Sequence, residues 1–230
     1  MKVVILAAGK GTRMLPLTKT IPKVLVEING KPFLKYVIEN LHKAGYTELG
    51  IVVGHLKEKV ASFLEENNIK AELIEQKEQL GTGDAVLKAE GFVGGEDFLV
   101  LGGDNLWSAE DLKKINQNSE FNYVSGVEVD KTEDYGILIT KGEMLEEIKE
   151  KPKENFGNLI NAGLYKFKPE IFEKLKNLRL SPRGELELTD ALSKLAKEGK
   201  VKVVKAKWWL DLGKNEDIPK VEKFLRENIQ

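Results

Sequence analysis

The sequence predicts an α/β fold built on a mostly parallel sheet with helices on both faces. Two observations carry that expectation. In the first half, short apolar runs rich in β-branched residues alternate with stretches at helical spacing, the order of strand–helix–strand units. The first of those runs ends directly in Gly9-Lys10-Gly11, as a buried strand does when it feeds a ligand loop.

Taken in order, Val3–Ala7 is the first strand. Pro32 opens a helix in which Phe33, Val37, Ile38 and Leu41 share a face, and Gly45 closes it. Leu49–Val53 reads as a strand, Leu56–Glu66 as a helix, Ala71–Ile74 as a strand and Ala85–Glu90 as a helix. Phe98–Leu101 is a wholly apolar strand that runs into Gly102, Gly103 and Asp104. Ser108, with Asp111 three residues on, marks the next helix start, because its hydroxyl can accept from the backbone N–H there. The second half is strand-rich, with Tyr123–Val129, Gly136–Thr140, Met144–Lys149 and Leu159–Phe167. Helices return at Pro169–Lys176 and Leu188–Lys197, followed by the strand Val201–Ala206 and a last helix through Val221–Asn228. With no Ser/Pro-rich linker or repeat, residues 1–230 are expected to form one domain. Its first half would run to about residue 130, and the rest would form a second half returning to the sheet.

Composition removes several function classes. The 36 basic and 37 acidic residues nearly cancel, which argues against nucleic acid or an anionic membrane as the main partner. No cysteine is present, so disulfides, thiolate nucleophiles and Cys-based zinc sites are excluded. The first apolar run is too short for a signal-peptide core or a membrane span, and a cytoplasmic chain is expected. His42 and His55 have no cluster of His, Asp and Glu at metal-ligand spacing around them, and Trp208 and Trp209 read as core residues.

The string Leu6-Ala7-Ala8-Gly9-Lys10-Gly11-Thr12-Arg13-Met14, followed by Pro16-Leu17-Thr18 and Pro22-Lys23, carries the chemistry. Glycines in such a loop let backbone N–H groups approach an anion closely. Met14 stands where a dinucleotide fingerprint would have its third glycine, and no Gly-Lys pair has the upstream glycine of a Walker loop. Arg13 adds a planar bidentate fork and Lys23 a point charge, the pair suited to several phosphates. From Lys10 to Lys43 there are seven basic residues and two acidic ones, a local excess in a neutral chain. Asp104 stands at the carboxyl end of an apolar strand, the edge where open α/β sheets bind ligands, and Asp211 ends another strand-like run. Two hard carboxylates meeting there could hold Mg²⁺, with substrate oxygens completing its shell.

The glycine string closely resembles the signature of the sugar-1-phosphate nucleotidylyltransferases, the nucleotide-sugar pyrophosphorylases. The resemblance continues through Gln76–Ala85, Gly103-Asp104, Glu150-Lys151-Pro152, Asn161-Ala162-Gly163, Gly184–Asp190 and Trp209–Gly213, in order along nearly the whole chain. It implies a Rossmann-like three-layer sandwich with a mostly parallel mixed sheet and a strand-rich sugar-binding half. It further implies that a nucleoside triphosphate and a sugar 1-phosphate are condensed, with Mg²⁺, to a nucleotide sugar and pyrophosphate. UTP or dTTP would be favoured, with glucose 1-phosphate or N-acetylglucosamine 1-phosphate.

By the same resemblance, Arg13 and Lys23 are the catalytic cations. Leu6, Ala7, Ala8, Gly9, Gly11, Thr12, Gln76, Gly81 and Thr82 bind the nucleotide. Gly136, Glu150, Lys151 and Asn161 bind the sugar phosphate, and Asp104 and Asp211 bind the metal. Read without it, Glu150 and Lys151 belong to a solvated charge run from Lys149 to Lys153. A homo-oligomer is left open, and the chain reaches Gln230 without the acetyltransferase repeats carried by some relatives. Rival readings are a non-catalytic nucleotide-sugar sensor, a cytidylyltransferase acting on a non-sugar phosphate, and a glycosyltransferase. The last is opposed by Asp104-Asn105-Leu106, which is not an Asp-x-Asp motif.

Overall fold

The computed structural model describes residues 1–152 and 154–228, so Lys153, the end of the charge run, and Gln230 lie outside the described residues. In chain order the elements are β1 (Lys2–Ala7), β2 (Glu27–Ile28), β3 (Lys31–Pro32), α1 (Phe33–Lys43), β4 (Leu49–Val53), α2 (Lys57–Glu66), β5 (Glu72–Glu75) and α3 (Thr82–Lys88). Next come α4 (Glu90–Val93), β6 (Phe98–Gly102), β7 (Asn105–Trp107), α5 (Ala109–Lys114), β8 (Asn122–Glu128), β9 (Gly136–Lys141), β10 (Met144–Glu150) and β11 (Leu159–Phe167). The chain closes with α6 (Glu170–Lys176), α7 (Leu188–Lys197), β12 (Val201–Lys205), β13 (Trp209–Asp211) and α8 (Ile218–Asn228).

Nine strands form one sheet in the order β5-β4-β1-β6-β11-β8-β12-β10-β9. The β5-β4-β1-β6 half is parallel, as the strand–helix alternation requires. From β6 onward antiparallel pairs dominate, with β8 and β12 parallel, so the sheet as a whole is mixed. Ile160 of β11 also pairs with Ile137 of β9, which brings the far edge back onto the middle of the sheet.

Both faces of the sheet are covered, and β1 shows why. Val3, Ile5 and Ala7 join one core layer with residues of α1, α2, α5 and α8, while Val4 joins another with residues of α3, α4, α6 and α7. Alternate side chains of a strand point to opposite faces, so an all-apolar strand must be buried on both. The expected three layers are therefore present. No described helix is long and apolar enough to cross a membrane.

Several boundaries move for identifiable reasons. The helix expected from Ala85 begins three residues earlier, at Thr82, and breaks near Ala89 into two short pieces. The last helix begins at Ile218 rather than Val221, because Pro219 is tolerated in a first turn whose N–H groups have no helical partner. Ser108 does cap α5, its Oγ accepting from Asp111 N at 3.0 Å.

Candidate active site

The site is assembled where β1 and β6, side by side in the sheet, reach their carboxyl ends. β1 gives way to the glycine loop, and Gly11 adopts φ 63°, a left-handed conformation that favours glycine. A Cβ there would lie 2.9 Å from Thr18 Cγ2, and Thr18 Oγ1 donates to Gly11 O at 2.7 Å. The loop is thus closed on itself, with Met14 buried beneath it as an anchor. Gly9, by contrast, faces open space, with nothing within 4 Å of where a Cβ would be.

The two candidate metal aspartates are fixed by backbone. Gly103 N donates to Leu6 O at 2.9 Å, tying the end of β6 to β1. Strand β13 then pairs antiparallel with β7, setting Asp211 opposite Asn105, and Leu212 N donates to Asp104 O at 2.9 Å. Asn105 joins the two strands by side chain as well, donating from Nδ2 to Asp104 Oδ1 at 2.8 Å and accepting from Trp209 Nε1 at 2.6 Å. Lys23 Nζ lies 2.5 Å from Asp104 Oδ2.

This packing splits the behaviour of the two carboxyls. Burial opposes ionisation of Asp104, but the charge and hydrogen bond of Lys23, with the Asn105 amide, outweigh it and hold its pKa below the usual range. Asp211 is pushed up to about 6, by burial first and by the negative charge of Asp104 second. Two carboxylates held this close, one of them costly to ionise, suit a divalent cation that would neutralise both. Among the described residues no group of three or more His, Cys, Asp and Glu side chains is arranged to hold a metal. An ion at Asp104 and Asp211 would therefore need substrate oxygens as further ligands.

A cavity of about 470 Å³ opens beside Asp104. Leu6, Ala8, Gly9, Gln76, Gly81, Thr82, Asp104 and Glu150 line it, so eight of the expected site residues meet there. Its wall is made by two distant segments meeting backbone to backbone. Gly83 N donates to Leu186 O at 2.7 Å, and Leu186 N donates to Leu80 O at 2.7 Å. A Cβ on Gly81 or Gly83 would come within 2.7 or 2.8 Å of Leu186 O, which explains Gly-Thr-Gly in that position. Gln79, which sequence reasoning did not single out, reaches across and donates to Ala8 O at 2.6 Å.

The opposite end of the cavity is shaped by a bulge in β11. Asn161 pairs with Gly126 but Tyr165 with Val124, so four residues on one strand span two on the other. Gly163 takes φ 76° at the bulge, and Asn161 is turned inward, accepting from Gly163 N and donating to Tyr165 Oη. Gly163 and Tyr165 reach the cavity, while Asn161 itself does not line it. Gly136 sits opposite Glu150, where a Cβ would stand 3.0 Å from Glu150 Oε2. Glu185 and Glu187, inside a motif quoted above but not assigned, flank Leu186 and add two further carboxyls to the wall beside Gly81 and Thr82. Lys151 is exposed at φ 42° and lines neither this cavity nor the next.

Arg13 and Asp211 face a neighbouring cleft of about 280 Å³, shared with Lys131, Tyr135, Trp209 and Lys214. Trp209 packs partly on the core, as expected, but its indole also meets Tyr135 edge-on at 5.3 Å and walls this cleft. Trp208 packs against the core beside Phe224. Ala7, Gly11, Thr12, Lys23 and Gly136 line neither space; Lys23 reaches the site through Asp104.

Comparison with known proteins follows this geometry. The model of the nucleotidyl transferase family matches residues 2–228. A Methanocaldococcus jannaschii protein named bifunctional protein GlmU is 40% identical, covering 100% of this chain and 55% of its own length. A Sulfurisphaera tokodaii protein, named bifunctional sugar-1-phosphate nucleotidylyltransferase/acetyltransferase, is 38% identical over 100% of this chain and 56% of its own. The chain thus spans about half the length of the curated relatives it matches. A solved UDP-glucose pyrophosphorylase, complexed with UDP-glucose, superposes with a TM-score of 0.87 at 28% identity, covering 98% of each chain.

Proposed function

This chain belongs to the nucleotidyl transferase family, and from that premise and the site geometry we propose that it is a sugar-1-phosphate nucleotidylyltransferase. It would condense a nucleoside triphosphate, UTP or dTTP, with a hexose 1-phosphate to give a nucleotide sugar and pyrophosphate. Glucose 1-phosphate and N-acetylglucosamine 1-phosphate are the favoured sugars. The observation that carries the reading is the backbone-fixed pair Asp104 and Asp211, set beside Lys23 at the carboxyl edge of the sheet.

The nucleophile is a phosphate monoester, whose second pKa of about 6 leaves it anionic at neutral pH. No general base is needed, and the described site offers positioning and charge instead. In this reading the base sits between Gln76, Gly81 and the loop at Ala8. The hexose takes the other end of the cavity, where the Glu150 carboxylate accepts from its hydroxyls. Arg13 steadies the β- and γ-phosphates as they leave, and Lys23 holds the attacking phosphate. Lys151, exposed next to Glu150, is the second cation assigned to that phosphate. Asp104 and Asp211 would hold Mg²⁺, which when bound supplies charge neutralisation between the two phosphates.

Both halves contribute walls to one cavity and strands to one sheet, which supports reading 1–230 as a single working domain; the cytoplasm is its proposed location. The test is pyrophosphate release across a matrix of UTP, dTTP, CTP, ATP and GTP with several sugar 1-phosphates. With hexose 1-phosphates, release is expected to be best with UTP, close behind with dTTP, and at least about tenfold less efficient with ATP or GTP. No release with any pair would overturn the activity, and a preference for ATP or GTP would overturn the base assignment alone.

A further inference from the structure

The Gln76 side chain is only 4% exposed, and both hydrogens of its amide are committed. Gln76 Nε2 donates to Gly81 O at 3.0 Å and to Asp84 Oδ2 at 2.9 Å. Both partners are acceptors only, so the reverse orientation of the amide would set oxygen against oxygen twice. Asp84 is itself 4% exposed and is held by Lys88, whose Nζ lies 3.2 Å from Asp84 Oδ1. Gln76 Oε1 is therefore the atom left for the cavity that Gln76 lines, and among the described residues it accepts no hydrogen bond.

We propose that Asp84 is a positioning residue that locks the Gln76 amide with its oxygen toward the cavity, and thereby selects uracil or thymine over cytosine. This rests on the nucleotidylyltransferase reading above. An acceptor at that point pairs with the N3–H of uracil or thymine. It opposes the lone pair that cytosine carries on N3, and an unpaired or opposed buried acceptor is what makes such sites discriminate.

Asp84→Asn removes one of the two locks with almost no change of shape. Lys88 draws the new amide oxygen, which leaves the Asn NH₂ facing Gln76 and favours the flipped amide. Gly81 O still favours the original one, so the Gln76 amide is no longer held in a single orientation. The experiment measures kcat and KM for UTP and CTP, with Mg²⁺ and glucose 1-phosphate, in the wild type, Asp84→Asn, Gln76→Ala and the double variant.

Asp84→Asn should raise the CTP-to-UTP ratio of kcat/KM by about threefold or more, mostly through KM. In the Gln76→Ala background the same substitution should leave that ratio unchanged. Equal losses for both nucleotides, or a ratio that moves as much without Gln76, would overturn the proposal.

A test on the unaltered protein does not depend on the variants folding. UTP methylated at N3 should be used at least about tenfold less well than UTP, because the methyl removes the donor that Gln76 Oε1 requires. Equal use of the two would overturn the proposal. If the wild type releases no pyrophosphate from any pair, the functional reading fails. The proposal is then decided by calorimetric Kd values for UTP, CTP and N3-methyl-UTP in the same four proteins, with the same expected ratios.

Discussion

Arg13 is exposed, and it stands in the cleft beside Asp211 rather than in the main cavity. Arg13→Ala should lower kcat/KM by roughly 30- to several-thousand-fold, the equivalent of a charged contact of about 2–5 kcal/mol formed once the phosphates exclude water. Steady-state kinetics showing a change under about threefold would place Arg13 outside the reaction. Asp211→Asn makes a different forecast. Its pKa near 6 shows that the folded chain resists this second negative charge. The neutral amide should therefore abolish most turnover while leaving the metal-free unfolding temperature at pH 7 equal to or above that of the wild type. Calorimetry in chelator finding a lower unfolding temperature would make Asp211 a structural residue instead. Individual site residues were legible where a motif surrounded them, as for Gln76, Gly81 and Asp104. The pairing of Gln76 with Asp84 was not, because eight residues separate them and only the fold turns one toward the other.

Elements with a clear period were readable from residue types alone. Leu49–Val53, Leu159–Phe167 and Leu188–Lys197 fall where the apolar pattern puts them, since burial on one or both faces leaves a trace over five or more residues. Strands β7 and β13 span three residues each, too few for a period; β13 showed only as the strand-like run ending at Asp211 and β7 not at all, although the two hold the aspartates together. The start of α3 was hidden for the opposite reason. Gly81-Thr82-Gly83 reads as a loop, yet its glycines are there because the helix start lies against the backbone of Leu186. Gly83→Ala would gain helix propensity in isolation, but its Cβ would sit 2.8 Å from Leu186 O. The clash should dominate, costing about 1–3 kcal/mol of stability and raising the KM for the nucleotide more than it lowers kcat. Denaturant unfolding with no loss of stability would show that the two segments can separate freely.

At the scale of the whole molecule, the sheet must join its parallel half to its mixed half, and it does so at β6 and β11. Lys166 of β11 is 2% exposed and pairs with Asp97, just before β6, at 2.8 Å, while also donating to Gln117 O at 2.8 Å. Burial works against the Asp97 carboxylate, but the charges and hydrogen bonds of Lys166 and Lys168 outweigh it and lower its pKa. A lowered pKa in the fold stabilises above the unfolded value of about 3.9 and is lost as pH falls through the folded value. Asp97→Asn should cost roughly 1–3 kcal/mol at pH 7, discounted because the Asp97 side chain is 30% exposed. The gap to the wild type should close below about pH 4, as urea unfolding across pH would show; a gap independent of pH would remove the ion pair from the account.

The parallel half was legible because strand–helix alternation permits little else. The mixed order of the strands from β8 to β12, and the return of β9 onto β11, depend on contacts between distant residues that no local pattern records. The central claim is that this sheet edge exists to bring Asp104 and Asp211 together around a divalent cation and two phosphates. The most direct measurement is pyrophosphate release from UTP and glucose 1-phosphate or N-acetylglucosamine 1-phosphate by the wild type, in excess chelator and after Mg²⁺ is restored. Turnover that vanishes in chelator and returns with Mg²⁺, but does not return in Asp211→Asn, is the predicted result. Full turnover in chelator, or a wild-type rate in Asp211→Asn, would contradict it.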